Sequence, residues 1–121
     1  MELKGNASLL KIFIGESDRV GGKLLYESIV EEARNKGLAG ATVTRGILSF
    51  GASHSIHTMK IFALSGDLPV VIEIIDSEER IAKFLPLVDE LMDQSKKGGL
   101  VYTEKVNIHR YKLGDKYKRI K

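Results

Sequence analysis

The sequence has no cysteine and no tryptophan, and only two of its 121 residues are proline. Without cysteine, the chain can form neither a disulfide framework nor a thiolate metal site. The scarcity of proline, together with 43% hydrophobic and 29% charged residues, excludes the collagen-like, low-complexity and disordered classes. At this length we expect a single domain over residues 1–121 that buries a core of its own.

Long hydrophobic runs are also missing from the sequence. Apolar stretches end after four to five residues, as at residues 69–72, whereas a helix needs about 20 to span a bilayer. The first ten residues, MELKGNASLL, lack the apolar region of a secretory signal. The sequence therefore predicts a cytoplasmic protein with no direct membrane insertion.

The positive charge of the chain is concentrated at one end. The net charge is +3, but residues 110–121 contain six bases and one acid, so residues 1–109 sum to −2. Nucleic-acid binding requires a basic face on the folded domain. We interpret residues 112–121 as a solvated basic tail instead, and we expect no nucleic-acid partner.

Hydrophobic periodicity predicts alternating strands and helices. Apolar alternation and turn residues indicate strands at residues 8–15, 40–50 (with a bulge at Gly46), 57–64, 69–76, 101–102 and 106–111. Helical spacing indicates helices at residues 23–36 and from a cap at Asp76 or Ser77 to residues 96–99, with a bend at Pro86. This order predicts an α+β fold, a ferredoxin-like βαββαβ sandwich with an extra hairpin arm after the second strand.

Both faces of the central strands are apolar. In the first strand, Leu10 and Ile12 alternate with Leu9 and Phe13, and residues 70–75 show the same two-sided pattern. Two helices cover only one face of such a sheet, and a bare apolar face in water is unfavourable. Symmetric association would cover it. We therefore expect an obligate small oligomer, a ring of three subunits.

The order of several motifs resembles the PII nitrogen-regulatory signalling proteins. These motifs are residues 40–44 (GATVT), 50–51 (FG), 68–69 (LP), 72–74 (IEI) and 98–99 (GG). The match is closer still to an uncharacterised domain-of-unknown-function family allied to PII. The marks of that family are residues 12–18 (IFIGESD), 40–42 (GAT), 45–46 (RG), 50–51 (FG) and 68–71 (LPVV), and the resemblance covers residues 8–111.

The resemblance implies a homotrimer that binds adenine nucleotides in clefts between subunits. It also implies that a loop, here residues 51–67, reports the bound state to a partner protein. No cofactor is required; ATP, ADP or AMP is the expected effector. The expected nucleotide-binding positions are Thr42, Thr44, Arg45, Gly46, Phe50, Gly51, Glu73, Gly98, Gly99 and Arg110.

The sequence departs from typical PII proteins where these bind phosphate. Ala52 and Ser53 stand in place of an Arg-Gln pair, Val70 replaces a lysine, and Leu100 follows the glycine pair where PII has another lysine. Residues 51–67 contain no tyrosine, so the uridylylated tyrosine of the PII loop has no counterpart. The usual cationic phosphate grip is thus mostly absent.

Three other constellations suggest different chemistry. Gly15 with Gly21, Gly22 and Lys23 resembles a phosphate loop, but the spacing is one residue too long and Leu24 replaces the Ser/Thr, so a turn before a helix is the better interpretation. Glu73 within an apolar strand predicts a buried carboxylate, whose pKa is raised unless a base pairs with it. The expected partner is a base across the subunit interface, such as Arg45 or Arg110.

The histidines offer the alternative function. His54, His57 and His109 could hold zinc or copper in a trimer of the divalent-cation-tolerance type. We expect no metal site, since residues three apart on a strand point to opposite faces. No motif for a catalytic nucleophile is present. The sequence thus predicts a non-enzymatic, PII-like trimeric sensor.

Overall fold

The computed structural model describes residues 3–50, 56–58 and 68–114. Its elements, in chain order, are β1 (Gly5–Gly15), β2 (Arg19–Val20), β3 (Lys23–Leu24), α1 (Leu25–Asn35), β4 (Ala41–Arg45), β5 (Leu48–Phe50), β6 (Ile56–Thr58), β7 (Pro69–Asp76), α2 (Glu78–Ser95) and β8 (Leu100–Ile108).

Four of these strands form an antiparallel sheet in the order β4-β7-β1-β8. With α1 between β1 and β4, and α2 between β7 and β8, this is the split βαβ topology of a ferredoxin-like domain, as the sequence predicted. Strands β5 and β6 pair separately, from Leu48–Thr58 to Phe50–Ile56. The remainder of the predicted arm lies outside the described residues.

The core lies between the sheet and the two helices. Leu10, Ile12 and Ile14 of β1 are buried on the side that faces the helices, and alternate residues of β7 join them. The two helices contribute the buried side chains Leu25, Ile29, Ala33, Ile81, Phe84 and Val88. Fully burying one large aliphatic or aromatic side chain stabilises the fold by about 1.5–3 kcal/mol, so this layer holds the fold together.

Helix α2 begins and ends with recognisable caps. Ser77 is the N-cap, and its side-chain oxygen accepts a hydrogen bond of 3.2 Å from the Arg80 amide. The preceding Asp76 is buried and accepts hydrogen bonds from the amides of Ala39 (2.9 Å) and Ser77 (2.7 Å). Lys96 ends the helix in the left-handed conformation. The helix is continuous through Pro86.

Several predicted boundaries are wrong, and β1 begins at Gly5 rather than at residue 8. The strand predicted at residues 40–50 is divided in two: β4 ends at Arg45, where its register with β7 ends, and residues 48–50 pair with β6 instead. The Gly46 amide between them donates to the Pro69 carbonyl (2.8 Å). The two short strands near the C-terminus are one strand, since β8 pairs with β1 along its whole length. The first helix begins at Leu25 rather than residue 23.

That later helix start also rules out the phosphate loop. Gly21 and Gly22 both have positive φ (+56° and +81°) and form the two-residue turn between β2 and β3. The Lys23 side chain lies 3.6 Å from Glu31 in an ion pair. The glycines therefore close a hairpin and do not cradle a phosphate at a helix N-terminus.

Candidate functional site

The two ends of the four-stranded sheet hold different parts of the predicted site. We call the end with Arg45, Pro69, Gly15 and Leu100 the arm end, because β5 and β6 follow it. The opposite end, where β8 finishes at Ile108, is the tail end. The positions of the candidate residues follow from the strand register.

At the arm end, Arg45 already has a partner. Its guanidinium binds the carboxylate of Glu16, with an Nε–Oε2 distance of 3.0 Å and a second contact through a terminal nitrogen. The pair joins the last residue of β4 to the residue after β1. A phosphate at Arg45 would therefore compete with a carboxylate that is only 17% exposed.

Two glycines of the candidate site, Gly46 and Gly99, have close neighbours. A Cβ at Gly46 would lie 3.1 Å from Pro69 Cγ. A Cβ at Gly99 would lie 2.6 Å from Met92 Cε and 2.9 Å from the Phe13 carbonyl oxygen, closer than side chains normally approach. The absence of a side chain at Gly99 thus allows the chain to pass from α2 into β8 in close contact with β1. Gly98 precedes it and is exposed.

The sheet face turned away from the helices, here called the open face, carries Thr42, Thr44 and Glu73. The threonines are exposed, and the register places them opposite Glu73 and Val71 of β7. The same face has half-buried Phe13 stacked on Tyr102, with ring centroids 5.9 Å apart. Ile75 and Leu100 are 38% and 53% exposed on it.

The burial predicted for Glu73 is wrong within the subunit. Its side chain is 46% exposed, because β7 turns it to the open face, and its ion-pair partner is Lys11 (3.7 Å) on the neighbouring strand, not Arg45 or Arg110. The pKa of Lys11 is raised, first by its electrostatic interaction with Tyr102 and further by Glu73 and Glu104, against a lowering from desolvation. The Lys11–Glu73 ion pair therefore places charged groups at the centre of the open face.

Arg110 lies at the tail end, far from the glycine pair. The nine residues of β8 separate them, which at about 3.3 Å per residue is roughly 30 Å. Tyr111 anchors this segment, since its carbonyl accepts the Leu3 amide (3.2 Å) and its hydroxyl donates to the Ala39 carbonyl. A half-open cleft of about 240 Å³ is formed there by Leu3, Lys4, His109, Arg110, Tyr111 and Lys112.

A single subunit therefore does not gather the predicted nucleotide-binding residues into one pocket. Arg45, Gly46, Gly98 and Gly99 share the arm end but lie at opposite edges of the sheet, and Arg110 is at the other end. Phe50 pairs with Ile56 at the base of the arm, and Gly51 lies outside the described residues. The inter-subunit site stays a prediction.

The histidines stay equally separate in what the structure describes. His109 is exposed at the tail end, His57 lies in β6, and His54 is outside the described residues. Within residues 3–50, 56–58 and 68–114, no three His, Asp or Glu side chains are grouped so that they could hold a metal ion.

In that same part of the chain, no helix is long and apolar enough to cross a membrane.

Two charged residues near the site escaped the sequence analysis. Lys11 lies on the open face, and its pairing with Glu73 depends on the β1–β7 register. Lys4 meets Arg110 in the tail-end cleft only because the chain after β8 folds back beside residue 3. For Lys11, the sequence offered one signal: a base and an acid at inner positions of two apolar strands. For Lys4, the sequence offered no signal.

The fold resembles that of solved PII-like proteins. A structure of CPII, a nitrogen regulatory PII-like protein from Thiomonas intermedia K12 bound to ADP, AMP and bicarbonate, superposes with a TM-score of 0.67 at 16% identity. The superposition covers 87% of this chain and 90% of CPII. The subunit therefore has a PII-like fold.

Sequence comparison gives the family. Residues 7–108 match DUF190 (Uncharacterized ACR, COG1993), and the chain belongs to this family. A UPF0166 protein of Aquifex aeolicus (strain VF5) is 41% identical over 100 residues, covering 83% of this chain and 90% of the relative. The UPF0166 protein MJ1524 of Methanocaldococcus jannaschii is 38% identical over 104 residues, covering 86% and 93%. The predicted membership of an uncharacterised domain-of-unknown-function family is confirmed, and the predicted likeness to PII is confirmed for the fold.

Proposed function

We propose that this protein is a trimeric, non-enzymatic PII-like sensor that binds an adenine nucleotide between subunits. The observation that carries the proposal is the open face: a ferredoxin-like sheet with a PII-like fold leaves apolar side chains exposed opposite its helices. The likeness to CPII, whose structure contains ADP and AMP, supports the nucleotide part.

The open face has the composition of an interface between copies of one chain. Leu100 and Ile75 are exposed, and the half-buried Phe13, Val71 and Tyr102 connect them across three strands. Exposed apolar surface of this kind marks association sites on soluble domains. Closed rotational symmetry would bury the face of every copy at once, and a ring of three does so.

A trimer would also bring together candidate residues that lie at opposite ends of one subunit. Because Arg110 lies roughly 30 Å from Gly98 and Gly99 in one subunit, one nucleotide meets both ends only if they belong to different copies. Thr42 and Thr44, exposed on edge strand β4, would then offer hydroxyls at the rim of the interface. Ordering of residues 51–67 by the nucleotide would report the bound state to a protein partner.

Calorimetric titration with ATP, ADP and AMP tests this function. We expect saturable binding of at least one nucleotide, weakened about tenfold, the equivalent of 1.4 kcal/mol, in a Thr42→Val/Thr44→Val variant. Thr103→Val is the matched control, since Thr103 is exposed on β8 and pairs with Leu10 on the helix-facing side. Absence of heat for all three nucleotides at millimolar concentration would contradict the proposal.

Incubation with ATP followed by product analysis separates a sensor from an enzyme. A sensor leaves ATP intact over many binding lifetimes. Stoichiometric or catalytic release of ADP, AMP or phosphate, lost in the same threonine variant, would show that the site has hydrolytic chemistry.

A further inference from the structure

We infer that the tail-end cleft is a binding site for a small, multiply charged oxyanion of the phosphate class. Its wall combines Lys4 from the chain before β1 with Arg110 and Lys112 from the chain after β8. These residues carry three permanent positive charges, and the imidazole of His109 lies beside them. The described residues that line the cleft include no Asp or Glu.

Two of the bases have no counterion among the residues that the structure describes. Within the described ranges, Lys4 and Arg110 make no ion pair with a carboxylate, whereas Arg45, Arg80 and Lys11 each do. Like charges gathered without an acid repel one another unless an anion joins them. Arg110 adds the planar donor fork that binds phosphate oxygens in pairs.

The cleft is built on a fixed frame. The Leu3 amide donates to the Tyr111 carbonyl, and the Tyr111 hydroxyl donates to the Ala39 carbonyl, so the segment after β8 is tied to the chain on both sides of the sheet. The bases therefore project from backbone that is held in place, which lowers the entropy cost of gathering them around a ligand.

Size limits the ligand. The cleft encloses about 240 Å³, below the range of about 300–1,000 Å³ typical of pockets for drug-sized molecules. It fits a phosphate, a short polyphosphate or the phosphate chain of a larger molecule whose remainder lies outside.

The test uses the full chain and inorganic tripolyphosphate as the probe. At fixed ionic strength, because exposed charges are screened within about 8 Å at physiological salt, we expect saturable binding by calorimetry. A Lys4→Gln/Arg110→Gln variant should bind at least about tenfold more weakly. A Lys4→Arg/Arg110→Lys variant keeps both charges but loses the arginine fork, so binding intermediate between wild type and the Gln variant would show that charge, rather than folding, explains the loss.

The matched control removes the same charges elsewhere. Arg34 and Lys36 are exposed at the end of α1 and line no part of the cleft, so Arg34→Gln/Lys36→Gln should leave tripolyphosphate affinity within about twofold. Equal affinities for wild type and the cleft variant, equal losses in the cleft and control variants, or no saturable binding by wild type would overturn the inference.

A parallel titration with ATP identifies the source of the phosphate groups. A loss of ATP affinity equal to the loss for tripolyphosphate assigns the cleft to the phosphate chain of a nucleotide. Unchanged ATP affinity beside a loss for tripolyphosphate assigns it to a free oxyanion. Tripolyphosphate binding without any nucleotide binding would refute the proposed sensor function and leave this inference standing.

Discussion

At the level of single residues, buried Asp76 fixes how the helices meet the sheet. Its carboxylate accepts the Ala39 amide (2.9 Å) before β4 and the Ser77 amide (2.7 Å) before α2, and the Arg80 guanidinium lies 3.7 Å away. One acid therefore satisfies donors from two segments that are 37 residues apart. Removing it leaves those donors without a partner.

Replacing Asp76 with alanine should destabilise the fold. A hydrogen bond to a charged group contributes about 1.5–3 kcal/mol, and we expect a loss of at least that size in the free energy of unfolding. Urea denaturation measures it. Asp89→Ala, an exposed position on α2, is the control and should change stability by less than about 0.5 kcal/mol. Equal effects would show that the Asp76 contacts contribute little.

Gly99→Ala should also lower stability, without any ligand present. The added methyl group would overlap Met92 Cε and the Phe13 carbonyl, and overpacking of this kind costs about 1–3 kcal/mol. Thermal unfolding of the ligand-free protein measures the loss. Gly40→Ala is the control, because its nearest neighbour, the Tyr111 hydroxyl, would be 4.0 Å from the new Cβ. An unchanged unfolding temperature for Gly99→Ala would remove packing as the reason for this glycine.

The limit of sequence reasoning is clearest at these positions. Gly98 and Gly99 were expected to be nucleotide-binding positions, but the close neighbours of Gly99 come from α2 and β1, and β1 is distant in the sequence. Glu73 was expected to be buried because apolar residues flank it, yet strand alternation turns it outward beside Lys11. Residue type was visible in both cases; the neighbours depended on tertiary structure.

At the level of secondary-structure elements, local signals were sufficient for most of the fold. Alternating apolar residues predicted the strand at residues 69–76 with its observed bounds, and the Asp76-Ser77 pair predicted the start of α2. Predictions failed where pairing partners set the bounds. β8 is one strand because β1 is long enough to pair with all of it, and β4 ends where its pairing with β7 stops.

Ser77→Ala tests the cap of α2. Loss of the hydrogen bond from the Arg80 amide to the serine oxygen should reduce the free energy of unfolding by about 0.5–2 kcal/mol. Chemical denaturation of this variant beside Ser28→Ala, which lies inside α1, separates the cap from a general effect of serine replacement. Because alanine is the better helix former, Ser28→Ala should be neutral or slightly stabilising. The cap would be unimportant if both variants behaved alike.

At the level of the whole molecule, the open face decides between a single subunit and an assembly. Ile75 is 38% exposed and lies opposite Leu9 in the register, so a lysine there meets little resistance in the subunit. Across a packed interface, the same lysine would place an unpaired charge in an apolar layer, which is strongly unfavourable.

We therefore expect Ile75→Lys to dissociate the assembly and leave the subunit folded. Light scattering coupled to size-exclusion chromatography gives the mass, and circular dichroism reports the fold. Ala82→Lys, an equally exposed substitution on the helix side, should leave the assembly intact. Retention of the assembly by Ile75→Lys would place the interface on another surface.

The central claim is that copies of this chain associate through the open faces of their sheets. Native mass spectrometry of the wild-type protein at micromolar concentration tests it most directly, and it also detects a small molecule that remains bound. The proposed trimer predicts a particle with the mass of three 13.4 kDa chains. A stable, non-aggregating particle with the mass of one chain would contradict the claim.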